Sequence, residues 1–130
     1  MADAVTLTRR ELDIMSVLWR RGTATVAEVR DDLAHDLADD LAYPTVQTML
    51  RVLESKGYVG HTVEGRAFLF HALVAQDEAA DSALARLVAK VYHGSRELLV
   101  SRLLADEDIS PDELRRIKKL LQKRLDETSR

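Results

Sequence analysis

With 130 residues, 46% of them hydrophobic and 32% charged, the chain is globular in composition and long enough for one modest domain, or for a small domain with an assembly arm. The absence of cysteine excludes disulfides, thiolate metal sites and cysteine nucleophiles, and a net charge of −3 offers no general attraction to nucleic acid. No apolar run approaches the ~20 residues of a membrane span, and the charges at Arg9, Arg10, Glu11, Asp13 and Arg20 do not suit a secretory leader, so a cytoplasmic protein with no membrane partner is expected.

Thr8 and Glu11 stand at capping-box spacing, where hydroxyl and carboxylate satisfy each other's free backbone donors. They open a helix over about 9–20, with Leu12, Met15, Val17, Leu18 and Trp19 as its apolar face, Leu7 as an entry staple and Gly22 as a left-handed stop. Thr25 and Glu28 repeat the capping box. Val26, Val29 and Leu33 then recur at helical spacing over about 26–34. Asp31, Asp32, Asp36, Asp39 and Asp40 read as a solvated helix end and loop.

Pro44 suits the first position of a third helix, about 44–56, whose core face is Val46, Met49, Leu50 and Leu53. The period then changes. Residues 58–63 and 67–71 read as two strands, joined by Glu64-Gly65-Arg66 with Gly65 at positive φ. Helices follow over about 76–92 and 95–105, separated by Gly94. Ser110, Pro111 and Glu113 open a last one.

Three short helices followed by a hairpin are the order of a winged helix-turn-helix. The predicted fold is mainly α with a small β-hairpin wing: an N-terminal winged helix-turn-helix over 1–74 and a C-terminal helical dimerisation arm over 75–130. In that geometry the third helix enters the major groove of double-stranded DNA. Its outer face carries Pro44, Thr45, Gln47, Thr48 and Arg51. Gln47 presents a bidentate edge suited to adenine, Arg51 suits guanine or phosphate, and the threonines suit phosphate, base or a thymine methyl. Tyr43, Arg9, Lys56 and Arg66 are the expected backbone contacts.

Residues 1–73 hold eight Lys/Arg against eleven Asp/Glu. Five of those acids are the Asp31–Asp40 group, so a locally positive field is expected elsewhere. Placement within a Debye length of ~8 Å outweighs the total. In the arm, Leu84, Leu87, Val88, Val91, Tyr92, Leu98, Leu99, Leu103, Leu114, Ile117 and Leu121 form apolar stripes with little to pack on, which predicts a homodimer.

Other classes fare worse. His61 and His71 on the wing strands, and His35 with Asp36 and Asp39, lack a firm metal-ligand spacing and read as solvated surface groups. No cofactor or metal is expected. Ser95, Ser101 and the histidines offer no nucleophile–base spacing, so no enzyme is expected. A winged-helix module that binds protein and not DNA is the alternative, with Asp31–Asp40 as its contact surface.

Four stretches give the chain a family likeness. They are residues 7–19 (Leu7-Thr8-Arg9-Arg10-Glu11-Leu12 through Leu18-Trp19), residues 43–53 with Lys56-Gly57, Gly65-Arg66 with Phe68 and Phe70, and Lys90-Val91-Tyr92 with the later Glu107-Asp108-Ile109-Ser110. In these the sequence resembles the penicillinase-repressor family, BlaI/MecI/CopY. The resemblance implies a homodimeric repressor on an inverted-repeat operator. It also implies release by a sensor-linked protease that cuts within the dimerisation helices. Where that family has an Asn-Phe cut site, this chain has Arg102-Leu103. The cysteines of the copper-responsive members are absent.

Overall fold

The structure, a computed structural model, describes residues 4–38 and 40–129. The described elements run α1 (Arg9–Arg21), β1 (Thr23–Ala24), α2 (Val26–Leu37), α3 (Tyr43–Ser55), β2 (Val59–Glu64), β3 (Ala67–Ala72), α4 (Gln76–Lys90), α5 (Arg96–Leu104) and α6 (Pro111–Thr128). The chain divides into two compact units, 1–85 and 86–130, with the division inside α4.

In the first unit both expected capping boxes form. The Thr8 hydroxyl accepts from the Glu11 N–H at 3.1 Å while Glu11 Oε1 accepts from the Thr8 N–H at 2.8 Å. Thr25 and Glu28 do the same at the start of α2. Gly22 takes φ 86 at the end of α1, a backbone angle that glycine adopts without steric cost, and donates its N–H to the Leu18 carbonyl.

The buried face of α1 departs from expectation at Leu12 and Ile14. Leu12 is exposed, and Ile14 joins the expected Met15, Val17 and Leu18 in the core. Trp19 lies at the core's edge and donates its indole N–H to the Val74 carbonyl at 3.0 Å, tying α1 to the segment that leaves β3. α3 begins one residue earlier than expected, which puts Pro44 at its second position. A missing N–H costs nothing there either, because the first turn has no intrahelical acceptors.

A strand the sequence did not announce, β1, pairs Thr23 with His71 and Ala24 with Phe70. It turns the hairpin into a three-stranded antiparallel sheet of order β1-β3-β2. Two residues are too few for periodicity to show. β2 and β3 pair from Val59↔Ala72 to Glu64↔Ala67, leaving Gly65-Arg66 as a two-residue loop. Residues directly opposite share a face, so Val59, His61 and Val63 lie on the side of Phe70 and Phe68. The inner end of that face is core, with Val59 and Phe70 buried against Val29, Leu33, Val46, Leu50 and Leu53.

The second unit has little interior. Among its described residues Val88 alone is buried, while Leu98, Leu103, Leu114, Leu121 and Leu125 are all at least 40% exposed. Ser110 caps α6 by accepting from the Glu113 N–H at 3.1 Å.

Candidate nucleic-acid interface

The outer side of α3 follows from its inner side. With Val46, Leu50 and Leu53 fully buried, the helical period leaves Pro44, Thr45, Thr48 and Arg51 exposed and Gln47 partly so. No carboxylate occurs on α3 until Glu54. Met49, expected in the core, is only partly buried at its edge.

An open cleft runs between α3, the first turn of α2 and the hairpin. Tyr43, Gln47, Arg51 and Glu54 line its α3 wall, and Glu64, Arg66, Phe68 and Phe70 line its hairpin wall. The fold thus brings four of the expected contacts, Tyr43, Gln47, Arg51 and Arg66, onto one concave surface. Arg9 lies elsewhere, beside Arg10, Asp13, Leu37 and Ala38, where the start of α1 meets the end of α2.

Lys56, expected as a backbone contact, has a protein partner. Its Nζ lies 2.9 and 2.8 Å from the two carboxylate oxygens of Glu11, which is itself buried. Burial pushes the Glu11 carboxyl up. The Lys56 hydrogen bond, the Thr8 N–H, the Lys56 charge and the Thr8 hydroxyl outweigh it and hold the group below its ordinary range.

The acidic stretch is also not the freely solvated end expected. Arg21 binds Asp32 through Nε at 2.7 Å and reaches Glu28 at 3.0 Å, while Arg20 bridges Asp32 and Asp36 at 3.0 and 2.8 Å. The Arg21 hydrogen bond leads in holding Asp32 down at about 2, against its partial burial. Setting the acids aside therefore sets two arginines aside with them. Arg9, Arg51 and Arg66 have no carboxylate partner among the described residues.

The histidines are placed individually. His61 is not a solvated surface group: its Nδ1 lies 2.5 Å from Glu54 Oε2, and its ring stacks on Phe68 with centroids 4.4 Å apart. His35 pairs with Asp36 at 3.1 Å, and Asp39, the third member of that group, lies outside the described residues. Among the described residues no three His, Asp or Glu side chains form a metal-binding group. Glu54 and the packing role of Phe68 carry no periodicity or motif that marks them in the sequence. The signal available was a His on one wing strand with an aromatic near it on the other.

The penicillinase repressor family model matches residues 7–123. The methicillin resistance regulatory protein MecI of Staphylococcus aureus is 23% identical over 114 residues, covering 88% of this chain and 91% of that protein. The penicillinase repressor of Bacillus licheniformis is 25% identical over 112 residues, covering 86% of each. The solution structure of monomeric B. licheniformis BlaI in complex with the blaP half-operator superposes with a TM-score of 0.50 at 28% identity, over 60% of this chain and 93% of that one.

Proposed function

From the premise that the chain belongs to the penicillinase repressor family, we propose that it is a transcriptional repressor that binds an operator duplex through α3 and the wing. The observation that carries this reading is the shared cleft. An outer helix face that carries no acid before Glu54, with Gln47 and Arg51 on it, stands opposite Arg66 across a gap open to solvent. α3 lies in the major groove. Thr45, Gln47 and Thr48 meet base edges or phosphates near its N-terminus, and Tyr43, Pro44 and Arg51 flank them. Arg66 at the hairpin loop and Arg9 at the start of α1 contact backbone phosphate. Lys56 serves as the counter-charge of the buried Glu11.

The working form is a homodimer on an inverted repeat. Among the described residues from Arg86 onward Val88 alone is buried, and leaving this much aliphatic surface in water forgoes roughly 25 cal/mol per Å². A second copy covers Leu84, Leu87, Val91, Tyr92, Leu98, Leu99, Leu103, Leu114, Ile117 and Leu121, and links two half-sites into one binding event. Arg102-Leu103 lies in the last turn of α5, beside the 105–110 connection, with both residues exposed. A sensor-linked protease acting there would remove α6 from the arm and weaken the dimer. The protein works in the cytoplasm without a catalytic step of its own. No helix among the described residues is long and apolar enough to cross a membrane.

The protein-binding alternative is not retained. Asp32 and Asp36 of its contact surface are engaged by Arg20 and Arg21, and the family is one of repressors.

The test is fluorescence anisotropy with a duplex selected from a random pool, at low and high salt. Binding to the selected duplex that Gln47→Ala or Arg51→Ala weakens supports the reading. Equal binding to any duplex, indifferent to both changes, overturns it.

A further inference from the structure

Glu54 is an odd occupant of a DNA-facing wall. Its carboxylate lines the cleft with Arg51 and Arg66, where approaching phosphates meet it with like charge. Its contacts supply a reason. It reaches from the last turn of α3 to His61 on β2, at 2.5 Å, and both side chains are about one-third exposed. Among the described residues this is the side-chain hydrogen bond that joins α3 to the hairpin.

His61 also belongs to a ring cluster that runs outward along the hairpin. Phe70 is buried in the core. His61 lies 5.6 Å from it and stacks on Phe68 at 4.4 Å with an 18° interplanar angle. Phe68 meets Phe70 edge-on at 6.3 Å. Beyond His61 the same face holds Val63 and Phe68, both substantially exposed, so the core no longer supports the hairpin there. A two-stranded ribbon on its own is marginal in water.

We infer that Glu54 and His61 are positioning residues: their bond, backed by the stack on Phe68, sets the angle of the wing against α3, so that Arg66 and Arg51 engage one stretch of DNA backbone together. This rests on the repressor reading above. The lever is long enough to matter. The loop lies roughly 10–13 Å beyond His61 at ~3.3 Å per residue. A tilt of about 15° at His61 would carry Arg66 by about 3 Å, more than a hydrogen bond tolerates.

The experiment uses the full-length protein and a duplex selected from a random pool, with thermal melts to confirm that each variant is folded. His61→Phe keeps a ring on Phe68 and removes the bond. Glu54→Ala removes it from the other end, and reports on the same bond should the first variant fail to fold. Each is expected to weaken binding roughly fivefold to tenfold, the double variant no more than either alone. In the His61→Phe background Arg66→Ala should cost less than twofold, about a single loose phosphate contact, while Arg51→Ala keeps its full cost.

Glu54→Ala binding as well as or better than the parent would mean that the carboxylate only repels phosphate, and would overturn the inference. An undiminished Arg66→Ala cost in the His61→Phe background would do so too. Either result with Arg51→Ala still weakening binding leaves the repressor reading standing. A parent protein that binds no selected duplex removes that reading itself.

Discussion

Lys56 and Glu11 are 45 residues apart in sequence, yet the Lys56 ammonium lies 2.8 Å from Glu11 Oε2. The pair joins the first turn of α1 to the C-cap of α3. Glu11 serves two tasks with one carboxylate: it closes the capping box with Thr8 and anchors the end of the reading helix. Its side chain is only 6% exposed, so the charge has little water to fall back on. A counter-ion is therefore required and not incidental.

Replacing Lys56 by Met should accordingly lower stability by about 1–3 kcal/mol at pH 7, because a buried carboxylate is left without its charged partner. The loss should depend on pH. The folded-state pKa of Glu11 is depressed, so its contribution is present above its ordinary value of 4.5 and fades as pH falls through that range. Urea denaturation of both proteins at pH 7 and pH 3.5 checks this. A gap that stays equally wide at the lower pH would show that the pair is not its source.

The Arg20–Arg21–Asp32–Asp36 cluster should shape the acid limb of stability. Asp32 titrates at about 2 in the folded chain, against 3.8 ordinarily, so the stability it lends is complete above 3.8 and is lost as pH drops from there toward 2. Asp32→Asn should flatten the stability profile across that window and leave binding of the selected duplex at pH 7 near the parent value. Thermal melts at half-unit pH steps give the comparison.

Base and phosphate recognition should separate by salt dependence. Arg66→Ala should weaken selected and unrelated duplexes alike and reduce the slope of log K against log salt by about 1 for each phosphate it no longer neutralises. Gln47→Ala should leave the slope unchanged and reduce discrimination at one base position by about 1–3 kcal/mol. Anisotropy titrations between 50 and 200 mM salt, about the range over which such slopes develop, distinguish the two. A matching slope change in both variants would mean that Gln47 reads no base.

Leu121 is 61% exposed on α6 and belongs to the stripe assigned to the partner copy. Leu121→Lys should shift the protein toward monomer in sedimentation. It should also lower affinity for a two-site duplex at least tenfold, with single half-site binding little changed, because the change uncouples the two readers and leaves each reading surface intact. An unaltered sedimentation profile would place the dimer surface elsewhere.

Gly65 takes φ 63 in the hairpin loop with nothing near its missing Cβ, so Gly65→Ala meets backbone strain and no clash. The cost should be about 1 kcal/mol, on the scale of one non-glycine residue held at positive φ. Chemical denaturation measures it.

Much of this molecule is legible in its sequence. Both N-terminal capping boxes, the start of α6 at Ser110-Pro111 and the Gly65 turn lie where spacing places them, because each depends on neighbours within four residues. The exposed face of α3 was legible too, since Val46, Leu50 and Leu53 leave only one side for the rest. Leu12 was misassigned to the core and Ile14 passed over, because helical periodicity defines a stripe but not which edge of it the neighbours cover.

What the sequence alone determined was local: element type, caps, turns and the order helix–helix–helix–hairpin, set by interactions a few residues long. The tertiary structure alone decided which charge meets which. Lys56 went to Glu11, Arg20 and Arg21 to Asp32 and Asp36, and Glu54 to His61. A side chain's affinity for an opposite charge is the same at any separation along the chain. Only the packing of α1, α2, α3 and the sheet brings one acid within 3 Å and holds the others away, and so selects the cations left facing the cleft.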